Sequence, residues 1–485
     1  MRFTPSASLS VASLSLLATL TGCGNTSPSP TPTGDASADT STSDVSTTTD
    51  TSSGDSSSTD ASTDTTSTTD AATDSPSGTD VMMTGDAAQP GQCGVGAGVA
   101  AYVTESATMA WAAVNRSRSM MMYGCAGASS PAGCLSDLPL ADDTNIGGNR
   151  SAIMGAHLRV LFTSSARSTY WTRSSADGRF IARGTKVYDM VNRTEISATG
   201  ADYDPAFFPD NSGFMYQPGG RLCPMSLLTT GMPTSITVTS SACAASSIGL
   251  YEHLAVSLGG EDYWASAAGT AAWDDGGRTA TYQETRRNQA WTDTATMQLA
   301  LMANTGSGYR YLGARNVPTP FQGDAVLSPS TRSVMTRFVD ADGVYQGFVL
   351  HRLNATHTGS AITAQLTEIA RYCTVGAKPA FSYDERYVVY HHYVGRGPAA
   401  DADARDMGFA DAADPGFAEY ASRGAANLYL LDLLTGTRTR ITNMGPGQYA
   451  LFPHFRSDGW IYFLVRTPAA AREFAIASDA ALVMR

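Results

Sequence analysis

Short runs of alternating apolar and polar side chains return six times along the chain, each broken by a small polar turn. They read SSADGRFIARG from 174, FFPDNSGFMYQ from 207, AWDDGGRTATYQ from 272, LSPSTRSVMTRF from 327, FSYDERYVVYH from 381 and FRSDGWIYFLV from 455. A period of two is the strand signature. The turn residues tolerate a positive φ or bond their own backbone. Each run therefore predicts a β-hairpin, turning at Asp177, Asp210, Asp275, Ser330, Asp384 and Asp458.

Further strands follow the clearest copies. NLYLLDLLTGTRTRIT, residues 427–442, holds an apolar strand, a turn at Thr435-Gly436 and another strand, and TKVYDMVNRTEI, 185–196, is a shorter version. A unit of four antiparallel strands cannot bury both its faces alone. Radial stacking of such units is a β-propeller. The expected fold is all-β, with about six four-stranded blades over 165–485, or seven if a divergent blade lies within 95–165 or 220–270. About 20 residues follow the sixth hairpin, including EFAIASDAALVM at 473–484. The last blade is therefore expected to borrow a strand from the N-terminal side, with LRVLF at 158–162 as the candidate. Residues 91–164 are expected to pack on the ring or close it.

The phrase PAFSYDERYVVYH at 379–391, followed by NLYLLDLLTG at 427–436, resembles the TolB-type, WD-like propeller repeat of bacterial envelope proteins. The resemblance covers most of 165–485 and is weakest at 272–283 and 327–338. It implies a ring that holds a partner in the envelope. Related propellers of exopeptidases carry a hydrolase domain behind the ring, and the residues after the sixth hairpin leave no room for one. Propellers similar to this one in the oligogalacturonide lyase family hold a divalent metal with histidines at the channel. That implies His392 and His454 as candidate ligands.

Upstream of the repeats the pattern changes. Residues 1–22 carry one arginine and a short apolar run, which reads as a secretory signal rather than a membrane-spanning helix. Leu20-Thr21-Gly22-Cys23 resembles the bacterial lipobox, which implies a lipid on Cys23 and a membrane partner. Gly24 after the cysteine implies sorting to the outer membrane. Residues 23–90 then form a Ser-, Thr- and Asp-rich segment expected to be a disordered stalk. Its reach is roughly 45 Å, from about 5–6 Å times the square root of its length. Residues 24–90 hold 11 aspartates and no lysine or arginine, so removing them and Arg2 takes the formal charge from −12 to −2. A nearly neutral folded part argues against a nucleic-acid partner.

Setting Cys23 aside, six cysteines remain, an even number that favours disulfides in an exported chain. Short loops favour Cys125 with Cys134 and Cys223 with Cys243, leaving Cys93 for Cys373. Free buried thiols are the alternative. Neither CxxC nor CxxCH occurs, and G-x-S-x-G, P-loop and H-E-x-x-H motifs are absent. Within the insertion 395–424, Asp401, Asp403 and Asp406 suggest a calcium loop, although Ala412 stands where the bidentate Glu of an EF-hand belongs. No cofactor is expected; calcium or a transition metal is the alternative. The functional expectation is a monomeric, lipid-anchored envelope protein whose propeller binds or scaffolds an envelope protein or glycan. The alternative is a metal-dependent polysaccharide lyase or hydrolase acting at the channel.

Overall fold

The computed structural model describes residues 93–109, 122–141, 150–164, 172–201, 205–216, 221–245, 253–268, 294–339, 346–394, 400–467 and 472–485. The signal, Cys23, the stalk and Asp275 lie outside the described residues.

Six four-stranded antiparallel blades account for the fold. Blade 1 is Thr172–Ser174, Phe180–Arg183, Lys186–Asp189 and Thr194–Thr199, with Ser235–Thr237 added in parallel on its outer edge. Blade 2 is Ala206–Phe207, Gly213–Tyr216, Arg221–Pro224 and Ala244–Ala245. Blade 3 is His253–Val256, Tyr263–Ala268, Thr296–Asn304 and Tyr309–Pro318. Blade 4 is Gln322–Leu327, Ser333–Val339, Gln346–Thr358 and Ala361–Tyr372. Blade 5 is Ala377–Phe381, Tyr387–Val394, Ala425–Asp432 and Arg438–Arg440. Blade 6 is Tyr449–Phe455, Ile461–Thr467 and Arg472–Ser478, completed by Leu158–Ser164 from the N-terminal side. The ring thus closes with the borrowed strand expected from LRVLF.

Contacts between innermost strands run from blade 1 to 2, 2 to 3, 3 to 4, 4 to 5, 5 to 6 and 6 back to 1, which completes the circle. One expectation is corrected. The stretch expected to supply the inner hairpin of blade 3, 272–283, lies outside the described residues, whereas that hairpin is His253–Val256 with Tyr263–Ala268, turning through 257–262. Two glycines and an acidic pair there supply the turn, without the Ser-x-Asp lettering used to align the other copies.

Burial follows the blade logic. In blade 5, Val388 and Tyr390 pack toward blade 4 while Val389 packs toward blade 6; on the next strand Tyr429 and Leu431 face blade 4, and Leu428 and Leu430 face blade 6. The period of two thus sorts side chains between two interfaces, both apolar, which is why these strands are buried almost throughout. Six large apolar clusters fill the six blade interfaces. Each fully buried Phe, Leu or Val in them contributes about 1.5–3 kcal/mol of transfer free energy.

The N-terminal segment is sewn to the ring in two places. Gly94–Val95 pairs with the outer strand of blade 4, the helix Gly98–Met109 follows, and Cys93 is bonded to Cys373 across a sequence separation of 280. The helix places Val99, Tyr102 and Val103 in the interface between blades 4 and 5. Farther along, residues 122–141 lie on blade 6, where Trp460 Nε1 donates to Pro131 O at 2.8 Å and the Cys125–Cys134 bond closes the loop. Cys223 is bonded to Cys243 beside blade 2.

Candidate functional site: the axial channel

The recurring phrase is explained by one hydrogen-bonded device. In blade 1, Ser175 Oγ accepts from Phe180 N at 3.0 Å and donates to Asp177 Oδ1 at 2.5 Å. Blade 5 repeats it, with Ser382 Oγ accepting from Tyr387 N at 3.0 Å and donating to Asp384 at 2.5 Å. Ser257 and Ser328 accept in the same way from Asp262 N and Ser333 N. The residue three after this position has a positive φ in all six turns: Gly178, Asn211, Gly260, Thr331, Glu385 and Gly459. Asp177, Asp210, Asp384 and Asp458 are therefore turn residues. Asp210 accepts from Ser212 N and from the Tyr263 hydroxyl, and Asp458 pairs with the fully buried Arg456 at 2.5 Å.

Glu385 does more than turn the chain. Its carboxylate accepts from Ser330 N at 2.9 Å, from the Ser330 hydroxyl, from Tyr102 Oη at 2.7 Å and from Ser106 Oγ at 3.3 Å. It joins the turns of blades 4 and 5 to the N-terminal helix. Burial, then the Glu385 charge, raises the Tyr102 hydroxyl well above its ordinary pKa, so it stays protonated and donates.

About four residues before each turn of blades 4, 5 and 6, the inner strand breaks step. Register shifts occur between Gly323 and Val326, between Ala377 and Ala380, and between Leu451 and His454. Within them Asp324, Lys378 and Phe452 have φ of 49°, 54° and 56°. Such bulges re-aim a side chain out of the alternating pattern, and a left-handed non-glycine residue costs roughly 1–2 kcal/mol.

The inner strands enclose a cavity of about 80 Å³ on the axis. Its polar lining comes from separate blades: Arg173 and Ser174 from blade 1, His253 from blade 3 and His454 from blade 6. The remainder is apolar, with Phe207, Leu254, Val326, Leu327, Phe381 and Phe455 prominent. His454 is nine-tenths or more buried, with Nδ1 at 3.3 Å from Phe452 O and Nε2 at 3.0 Å from Ser174 Oγ. A carbonyl can only accept, so Nδ1 carries the proton and Nε2 accepts from the Ser174 hydroxyl. Burial, then the Arg173 charge, lowers the His454 pKa to about 3. His253 is pushed well below its usual value by burial, then by Arg173 and Lys378, with Asp324 opposing. His391, which accepts from Phe452 N at 3.4 Å, is lowered by burial and then by Lys378. Burial works to raise Asp324, but Arg337, at 3.1 Å, and Lys378 hold its carboxyl below the ordinary range. All three histidines are neutral near pH 7, and the fixed charges around the axis are of both signs: Arg173, Lys378 and Arg337 on one hand, Asp324 and the Asp177 and Asp210 that act on Tyr383 of the cavity wall on the other.

The residues expected to hold metal are distributed differently. His392 lies on the second strand of blade 5 and its Nε2 donates to Asp403 Oδ1 at 2.6 Å. His454 lies on the cavity wall of blade 6, bonded to Ser174. The structure does not bring the two together: each faces its own protein partner. Asp401 accepts from Ala412 N, and Asp406 accepts from Tyr429 Oη at 2.5 Å and pairs with Arg438 at 3.3 Å. These three carboxylates thus order the insertion internally rather than converging on one point. Among the described residues, the one group of three metal-type side chains is Cys125, Cys134 and Asp458, and there the two sulfurs are bonded to each other. Arg173, His253 and Lys378 carried no sequence signal, since nothing local to them departs from an ordinary strand.

No family model matches the chain, and no curated protein matches it. Among solved structures it is similar to oligogalacturonate lyase from Vibrio parahaemolyticus, at 9% identity over 68% of this chain and 95% of that one, with a TM-score of 0.34. It is similar to the Swd1 β-propeller domain of Myceliophteria thermophila at 10% identity, over 66% and 99% of the two chains, TM-score 0.36. Hydrazine synthase of Kuenenia stuttgartiensis matches at 9% identity over 61% and 75%, TM-score 0.33. The ring described above follows from this chain's own strand pairing and closure: the protein is a six-bladed β-propeller.

Proposed function

We propose that the propeller is a binding module of the cell envelope, held to the outer membrane by a lipid on Cys23 and spaced from it by the stalk 23–90. The observation that carries the reading is the insertion on blade 5. It forms the helices Ala400–Asp406 and Ala418–Arg423 around a small core of Phe417, Ala404, Val394 and Ala425, with Phe409 and Tyr420 packed on it. The buried His392–Asp403 pair and the Tyr429–Asp406 bond pin this element to the blade. Asp401, Asp411 and Glu419 remain exposed on its surface beside exposed Arg405 and Arg423, with Arg423 at 3.6 Å from Glu419. Ordering such a segment costs on the order of 1–2 kcal/mol per residue, and loops held on a rigid scaffold are where binding concentrates. The ligand of this surface is an envelope protein or glycan.

The test uses the full-length protein as bait in detergent-solubilised envelope, beside a variant with 400–423 replaced by a Gly-Ser linker. Capture of a defined partner by the natural chain and its loss from the variant supports the reading. Equal capture by both, or none by either, overturns it. For the anchor, mass spectrometry of the mature N-terminus should find an acylated Cys23, and Cys23→Ala should release the protein from the membrane fraction.

A further inference from the structure

We propose that the tip of blade 4's outer hairpin is a pH-gated strap, clasped to blade 3 while the His357 imidazole is charged and released when it loses its proton. The device does not depend on what the blade 5 insertion holds.

The argument starts from an overhang. The outer strands of blade 4, Gln346–Thr358 and Ala361–Tyr372, run for 13 and 12 residues, against 6 and 7 for the inner pair. Ladder pairing with the second strand ends with Arg352 opposite Ser333, apart from one further bond from Leu353 N to Arg332 O. Beyond that point the hairpin continues as a two-stranded ribbon, with Leu353 opposite Leu366, Ala355 opposite Ala364 and His357 opposite Ile362. Two strands alone are marginal in water, so the ribbon must be held by a neighbour. Alternation puts Leu353, Ala355 and His357 on one face. Leu353 and Ile362 are buried there with Trp264, Leu299 and Val317 of blade 3. The apolar face ends in a histidine.

His357 closes the contact. Its Nε2 lies 2.8 Å from Asp262 Oδ1, at the turn of blade 3's inner hairpin, and its Nδ1 lies 3.2 Å from Gly359 O. The ring is T-shaped against Trp264, with centroids 6.3 Å apart. A carbonyl and an ionised carboxylate can only accept, so both ring nitrogens donate, which only the imidazolium can do. A neutral ring would leave one of the two acceptors facing a lone pair. The neighbouring charges are committed elsewhere. Glu261 accepts from Ser257 Oγ at 3.3 Å, and Arg315 of blade 3 donates to Ile362 O at 3.4 Å, across the ladder from His357. The hydrogen bond to Asp262 outweighs burial and raises the His357 pKa above its ordinary value. In the released ribbon the ring would titrate near 6.5. The clasp is therefore at full strength below that pH and is lost as pH rises through the higher value of the folded site. Buried His454 works in the opposite sense.

The test is amide hydrogen exchange of the full chain at about pH 6 and about pH 9, read as protection factors so that intrinsic rates cancel. Protection over 354–363 should be about threefold or more higher at the lower pH, with no such rise over 387–394 in blade 5. A titration of the His357 imidazole by NMR should show a midpoint above about 6.5. Both partners are partly exposed, so substitutions here leave folding secure. His357→Gln should abolish the pH dependence of the ribbon, and Asp262→Asn should bring the imidazole midpoint back to about 6.5. A midpoint at or below that value in the natural chain overturns the proposal. So does equal protection of the ribbon at both pH values, or a pH dependence that persists in His357→Gln.

Discussion

Two regions of each inner hairpin behave in opposite ways. At the turn, blades 1 and 5 use the same Ser-to-Asp and backbone-to-Ser bonds, and all six blades place a positive φ at the same step. About four residues upstream the strands diverge: blades 4 to 6 bulge, and they place Asp, Lys and Phe at the corresponding position. Turns recur because each must solve the same local problem, satisfying backbone donors while reversing direction. Bulges vary because each side chain meets a different neighbour: Asp324 pairs with Arg337 of its own blade, and Phe452 lies against His391 of blade 5. Repetition marks scaffold here, and departure from it marks the place where chemistry can differ from blade to blade.

The turn side should carry the greater stability. Glu385→Ala leaves buried groups of Ser330, Tyr102 and Ser106 without their acceptor, and bonds to a charged group are each worth about 1.5–3 kcal/mol. A loss of about 3–5 kcal/mol in denaturant-induced unfolding is expected, with looser docking of the N-terminal helix seen as faster amide exchange over 98–109.

Acid probes the other side of the comparison. An unfolded histidine takes up a proton near pH 6.5, whereas folded His454 does so only near about 3. As pH falls below 6.5 the unfolded chain binds protons first, so this part of the stability is intact above about 6.5 and is lost progressively below it. His253 and His391 are shifted in the same direction. Thermal unfolding should show stability falling between pH 7 and 4, with His454 alone contributing on the order of 1–3 kcal/mol by pH 4. His454→Gln should flatten that profile while Ser382→Ala leaves its slope alone.

Smaller effects sharpen the contrast further. Ser328→Ala and Ser382→Ala each remove an acceptor from a strand N–H and should cost about 1–2 kcal/mol. Lys378→Gly relieves a left-handed lysine, a gain of roughly 1 kcal/mol, which glycine's backbone entropy of about 0.5–1 kcal/mol nearly cancels. Its unfolding midpoint should stay close to that of the natural protein. A Lys378→Gly variant less stable than Ser382→Ala would reverse the comparison and make the bulge part of the scaffold.

The legibility of this molecule follows the same division. Hairpins at 174–183, 207–216, 327–338, 381–391 and 455–465 were readable because alternation and turn chemistry are properties of ten consecutive residues. The borrowed strand Leu158–Ser164 was readable from an unpaired edge and a shortage of residues after the last hairpin. Blade 3 was harder to place because its turn, Ser257-Leu258-Gly259-Gly260, lacks the aspartate that blades 1, 2, 5 and 6 share, while 272–283 displays one. His392 and His454 suggested a shared metal because adjacent blades could in principle bring them close. The insertion instead folds back onto blade 5 and offers Asp403 to His392, a long-range outcome that no spacing encodes.

From the sequence alone came the repeating hairpin, its turn residues, the all-β ring and the cysteine pairs that short loops make cheap. Those are contests between near neighbours, settled by backbone geometry and chain entropy. Tertiary structure decided which side chains meet on the axis. Arg173, His253, Asp324, Lys378 and His454 come from five different blades, and they share one cavity and its charged surround only because the ring closes and three strands slip register at the same level. Electrostatic coupling depends on distance through space, and along the chain these residues lie too far apart for any local pattern to record it.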